Sequence, residues 1–85
     1  MSKKGQLKRE IADCEREISA LEHKRERSQS ALMRAMLAKQ KPDPQDEEFF
    51  RVFSALIDDT RTRLRALIAE LEQLQAPKKE KKNKK

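Results

Sequence analysis

Two prolines, Pro42 and Pro44, lie near the middle of this 85-residue chain and separate two segments with helical patterns. A proline disfavours the helical conformation at the residue before it, so Lys41 and Asp43 should both be extended. An extended backbone suits Asp43 as a helix N-cap, and Pro44 then occupies the first helical position, where proline is favoured. The stretch predicts that one helix ends and another begins here.

Both segments carry an apolar heptad pattern, in which hydrophobic residues recur at alternating spacings of three and four. In the first segment the positions are Leu7, Ile11, Cys14, Ile18, Leu21, Arg25, Ser28, Leu32 and Ala35. In the second segment they are Phe50, Phe53, Ile57, Thr60, Leu64, Leu67, Leu71 and Leu74. The sequence therefore predicts an all-α fold, an antiparallel two-helix hairpin with a coiled-coil-like seam.

The predicted hairpin domain covers residues 7–76. Helix 1 is expected over about residues 4–40, the bend over 41–43, and helix 2 over about 44–76, ahead of Pro77.

The two ends of the chain are predicted to be irregular. Residues 1–6 form a frayed basic N-terminus, because their lysines oppose the helix dipole and Gly5 weakens the first turn. Residues 77–85 form a disordered Lys-rich tail, because Lys78–Lys85 carries no apolar side chain that could be buried.

The heptad phases also predict which residues face each other. Facing positions in an antiparallel hairpin have residue numbers with a constant sum, and a sum of 85 aligns the two apolar series. Ile11 then lies opposite Leu74, and Arg25 opposite Thr60, with Glu22 and Asp59 also within reach of Arg25. The Arg25–Thr60 pair is a polar layer of the kind that fixes register at some cost in stability.

A second apolar face beside the seam indicates a partner. Large exposed apolar patches usually mark binding sites, and chains this small rarely stabilise themselves alone. The same alignment sets Lys24 beside Arg63 and Glu17 beside Glu70, which are like-charged pairs that a second hairpin would neutralise.

We therefore expect a four-helix bundle, completed by homodimerisation or by another helical protein. The alternative is that the same residues thicken the hairpin's own core. The predicted protein interface consists of Met33, Met36, Leu37, Phe49, Val52, Phe53 and Leu56.

The charge distribution suggests a different function. Residues 77–85 hold six Lys and one Glu, whereas residues 1–76 hold 15 basic and 14 acidic residues, so most of the net charge of +6 lies in the tail. The alternative hypothesis is a nucleic-acid-binding or nucleoid-associated protein. Its contact residues would be Lys3, Lys4, Lys8, Arg9, Lys78, Lys79, Lys81, Lys82, Lys84 and Lys85. The tail could equally be solubilising, contact an anionic membrane or serve in nuclear import.

The sequence contains no recognisable catalytic or metal-binding pattern. Cys14 is the only cysteine, so no internal disulfide is possible, and its seam position predicts a small buried side chain. His23 is predicted to be solvated, and the adjacent Asp58 and Asp59 point in different directions on a helix. We expect a non-enzyme without a cofactor, metal or small-molecule substrate. The chain has no apolar stretch for a membrane span or a signal peptide, so the cytoplasm is the expected compartment.

The architecture resembles small helical hairpins that dimerise into four-helix bundles, among them plasmid RNA-binding regulators. It is also similar to the hairpin co-chaperones of bacterial type III secretion, and to needle subunits with a two-proline bend, here Pro42-Asp43-Pro44. These resemblances cover the hairpin and concern its shape. The leading hypothesis is a protein–protein interaction module, such as a small assembly factor, adaptor or chaperone-like subunit.

Overall fold

The computed structural model describes residues 2–75 and contains two helices, α1 (Lys3–Leu37) and α2 (Pro44–Gln75). The two helices pack against each other in opposite directions, and residues 2–75 include no strand. The prediction of an all-α chain with two packed helices is confirmed. The predicted disordered tail, residues 77–85, lies outside the described residues.

The first helix begins at Lys3, within one residue of the predicted start at about residue 4. Ser2 is its N-cap: the Ser2 hydroxyl accepts a hydrogen bond from the Gly5 backbone N–H at 3.0 Å, and the Ser2 carbonyl accepts one from the N–H of Gln6 at 3.1 Å. Residues 3–6 of the predicted basic N-terminus therefore form the first turn of α1. The serine cap satisfies a free backbone donor there, which offsets the unfavourable lysines.

The C-terminus of α1 has a Schellman motif. The N–H of Gln40 donates to the carbonyl of Ala35 at 2.9 Å, and the N–H of Lys39 donates to that of Met36 at 3.1 Å. Lys39 has a φ of 57°, the left-handed conformation that this motif requires and that glycine usually supplies. The helix consequently ends at Leu37, about three residues before the predicted stop, and the connection covers residues 38–43.

The start of α2 is set by Asp43. Its carboxylate accepts a hydrogen bond from the N–H of Gln45 at 2.9 Å, and its carbonyl accepts one from the N–H of Glu47 at 3.1 Å. Pro44 is the first helical residue, and Asp46 and Glu47 place negative charge in the first turn. These contacts stabilise the end of the helix where backbone donors would otherwise lack partners.

The register of the two helices differs from the predicted alignment. Arg25 contacts Ser54 and the ring of Phe50 instead of Thr60, and Lys3 reaches Glu70. Averaged over the contacts between the helices, α2 is displaced along α1 by about one heptad relative to the predicted alignment. Consistent with this shift, Leu7 is 4% exposed, whereas Leu74, the predicted partner of Ile11, is 46% exposed.

The displacement follows from the earlier end of α1. The numbers of two facing residues add up to twice the number of the residue at which the chain reverses. Moving that residue by about half a heptad therefore changes the pairing by a whole heptad. A shift of seven residues leaves the same residues in the seam, so the apolar pattern alone cannot distinguish the two registers.

The new register removes the like-charged pairs that the sequence predicted. Glu17 lies 3.9 Å from Arg63 instead of beside Glu70, and Glu70 lies 3.3 Å from Lys3. Glu22 and Arg61 form a third pair between helices at 2.8 Å. Charge conflict within one hairpin therefore gives no reason to invoke a second hairpin, and the case for a partner must depend on apolar surface.

The core of the hairpin is small. Within residues 2–75 the buried apolar side chains are Leu7, Cys14 and Ile57, and Ser28 and Thr60 are buried with them. Each of the two hydroxyls donates to a carbonyl of its own helix, Ser28 to Arg25 at 3.0 Å and Thr60 to Leu56 at 2.9 Å. These local bonds satisfy the polar groups without linking the helices.

Replacing Lys39 by glycine should stabilise the protein. A left-handed backbone costs a residue with a Cβ about 1 kcal/mol, a cost that glycine avoids. We expect Lys39→Gly to raise the thermal midpoint by about 4–8 °C at fixed protein concentration, as followed by circular dichroism. Lys41→Gly is the matched control and should lower the midpoint slightly, because Lys41 does not have a positive φ. Equal losses from both changes would contradict the assigned helix end.

Candidate interaction surface

One side of α2 exposes a row of large apolar side chains. Phe49, Val52 and Leu56 retain 46%, 41% and 43% of their accessible surface. Their spacing of three and four residues places them on one side of the helix, next to the seam that packs on α1. We call these three residues the α2 face.

The α2 face borders an open groove between the helices, with a volume of about 740 Å³. Phe49 and Phe53 form its apolar part, with ring centroids 6.2 Å apart and ring planes inclined by 34°. The groove is lined by His23, Lys24, Arg27 and Ser28 of α1 and by Gln45, Asp46, Phe49 and Phe53 of α2. We call it the basic groove, because α1 contributes Lys24 and Arg27.

The seven residues of the predicted interface lie at different positions along the hairpin. Met33, Met36 and Leu37 are exposed near the end of α1, where Leu37 lines a separate shallow depression formed by α1 and the connection. Phe49 and Phe53 instead lie across from residues 23–28 of α1. The one-heptad displacement causes this separation, because the predicted register had placed both groups at the same level beside the bend.

Arg25 is a polar residue of the seam, as expected, but with different partners. Its guanidinium donates to the Ser54 hydroxyl at 3.0 Å and lies over the Phe50 ring, with its central carbon 5.4 Å from the ring centroid. Its Nε atom is buried without a hydrogen-bond partner in the part of the chain that the structure describes. The cation–π contact and one charged hydrogen bond hold this side chain between the helices.

The basic residues proposed for nucleic-acid binding are only partly described. Lys3 pairs with Glu70, and Lys4 and Lys8 are exposed one turn apart on α1. Arg9 is also on the exposed surface and has an interaction of its own. Lys78, Lys79, Lys81, Lys82, Lys84 and Lys85 lie outside the described residues. Binding of nucleic acid by this end stays a prediction.

The remaining candidate side chains form no reactive cluster. Cys14 is completely buried, and the exposed His23 lies 3.7 Å from Glu26. Across residues 2–75, no three His, Cys, Asp or Glu side chains are grouped so that they could hold a metal ion. Neither α1 nor α2 is long and apolar enough to cross a membrane.

The sequence interpretation identified the α2 face but missed the basic groove beside it. Lys24 and Arg27 are three residues apart on the flank of the seam, so their shared side of α1 was visible in the sequence. Their position opposite Phe49 and Phe53 depends on the register, which the heptad pattern leaves open. Comparison with protein-family models, curated proteins and solved structures found no match to this chain.

Proposed function

We propose that this protein is a non-enzymatic protein–protein interaction module that binds a helical partner through the α2 face. The observation that carries the proposal is the exposure of Phe49, Val52 and Leu56 in a row beside the seam. Exposed apolar surface rimmed by polar residues is typical of interaction sites, because covering it removes hydrocarbon from water.

The small core of the hairpin supports the same proposal. Burial of three apolar side chains between two long helices is a weak source of stability for a chain of this size. A partner that covered the α2 face would add three large side chains to the core. The hairpin is therefore suited to be one half of a larger helical unit.

The spacing of the α2 face favours a helical partner. Residues at positions i, i+3 and i+7 are the anchors with which one helix packs into a groove of another helical protein. A second pair of helices laid on this side would complete a four-helix bundle. A small assembly factor, adaptor or chaperone-like subunit is the role that such a module would fill.

The test places charge on the α2 face. A variant with both Phe49→Asp and Leu56→Asp should keep its helices and lose association, measured as absolute mass by light scattering after size exclusion over a range of concentrations. A variant whose mass rose with concentration as that of an associating wild type does would contradict the proposal.

A further inference from the structure

The two helices carry opposite net charges. α1 contains nine Lys and Arg against six Asp and Glu, whereas α2 contains four against seven. Each helix is therefore better matched to the other kind of helix than to a copy of itself. In a dimer of hairpins, this favours an arrangement in which α1 of one copy lies on α2 of the other.

Unpaired charges beside the α2 face and in the basic groove also favour placing α1 of one copy on α2 of the other. Lys24 and Arg27 line the groove, and neither has an ion-pair partner among residues 2–75. Asp46 lines it too and is likewise unpaired within that range, so these three side chains give the groove one net positive charge. Asp59 is exposed and likewise unpaired within that range. It lies three residues after Leu56, which places it at the edge of the α2 face. A groove with spare positive charge and an apolar row with spare negative charge are thus present on the same molecule.

Two-fold symmetry allows two ways of stacking one hairpin on another. If the axis runs across the helices, α1 lies on α1 and α2 on α2, and the bend of one copy meets the open end of the other. If the axis runs along the helices, α1 lies on α2 of the other copy, and the two bends are side by side. The opposite net charges of α1 and α2 select the second arrangement.

The positions of the two surfaces along the hairpin agree with that choice. Phe49 belongs to the α2 face and also lines the groove beside Lys24 and Arg27, so the face and the groove overlap along the length of the hairpin. With the bends side by side, the α2 face of each copy would overlap the basic groove of the other. Both contacts would form at once, as an isologous interface requires.

We propose that the partner of the α2 face is a second copy of this chain, with α2 of each copy seated in the basic groove of the other and Lys24 facing the partner's Asp59. This inference rests on the proposed function and adds to it the identity and orientation of the partner. Binding of a second copy buries the apolar side chains of the α2 face and also gives the unpaired charges partners of opposite sign.

Complementary charge reversals in two separate chains test the pairing. Lys24→Glu alone and Asp59→Lys alone should each weaken dimerisation about tenfold at low ionic strength, because each places like charges together twice per dimer. An equimolar mixture of the two variants should form a heterodimer with an affinity within about threefold of the wild type. In that heterodimer, both pairs again join opposite charges. Affinities would be measured by analytical ultracentrifugation, with the mass confirmed by native mass spectrometry.

A neighbouring residue provides the matched control. Asp58 is also exposed but points in a different direction on α2. Asp58→Lys mixed with Lys24→Glu should give a heterodimer no tighter than the one that Lys24→Glu forms with the wild type, because in both one of the two pairs still joins like charges. Both sides of the proposed pair are exposed positions, so the variants should fold like the wild type.

Failure of this inference can be told apart from failure of the proposed function. A wild-type protein that is monomeric at every concentration would overturn the second copy as partner. Charge variants that dimerise normally, or a mixture that gives no recovery, would overturn the orientation. If Phe49→Asp with Leu56→Asp still abolished association in that last case, the α2 face would remain the binding site. Association that survived the double Asp change would contradict the proposed function itself.

Discussion

Phe49→Asp combined with Leu56→Asp should lower self-association by at least about a hundredfold. Burying a Phe or Leu side chain contributes about 1.5–3 kcal/mol, and an aspartate in its place would have to be desolvated without a partner. A two-fold dimer loses each contact twice. The helices themselves should persist, because both side chains face solvent in the isolated hairpin.

The double variant needs a control with the same added charge. Thr62 and Ala69 are also exposed on α2, have the same spacing of seven residues, and lie on the side of the helix opposite the seam. Thr62→Asp with Ala69→Asp should leave the concentration dependence of the mass close to that of the wild type, with similar far-UV circular dichroism. If both double variants dissociated equally, net charge would explain the loss, and the α2 face would not be the interface.

Ile57→Ala should be the most damaging conservative change in the described part of the chain. Ile57 has no exposed surface, and replacing a buried isoleucine by alanine costs about 2–5 kcal/mol in lost hydrophobic contact and residual cavity. A hairpin with so few buried side chains has little reserve, so we expect a large fraction of the variant to be unfolded at 37 °C. The measurement is urea unfolding at fixed protein concentration, because association contributes to apparent stability.

Ile68 offers a matched comparison on the same helix. It is 37% exposed, so Ile68→Ala should cost less than about 1 kcal/mol. Similar losses at Ile57 and Ile68 would mean that the seam is placed wrongly, because the two positions would then be buried to the same extent.

The sequence was sufficient to predict the two helices and the cap of the second. Asp43 and Pro44 combine an N-cap with a favoured first helical residue, and this signal is local. The seam residues were also predictable, because a heptad pattern identifies the face of a helix that packs on its neighbour. Leu7, Cys14 and Ile57 are buried members of that pattern.

The register was not predictable from the same pattern. It depends on where α1 ends, and the end is set by Lys39 in a conformation for which lysine gives no signal. The prolines indicated a bend at residues 41–43, although α1 already ends at Leu37. The resulting displacement separates Met36 from Phe49 and brings Lys24 and Arg27 beside Phe53, so the composition of the candidate site changed with it.

The rate at which a thiol at position 52 reacts would test most directly whether the α2 face is an interface. Val52→Cys places the thiol in the centre of the face, Ala69→Cys provides an exposed reference on the side of α2 opposite the seam, and the buried Cys14 should contribute no fast reaction. At concentrations where the protein associates, we expect the thiol at 52 to be alkylated at least about tenfold more slowly than the thiol at 69, and the two rates to converge on dilution. Equal rates at every concentration, with association still present, would show that the partner binds elsewhere and would contradict the proposed interface.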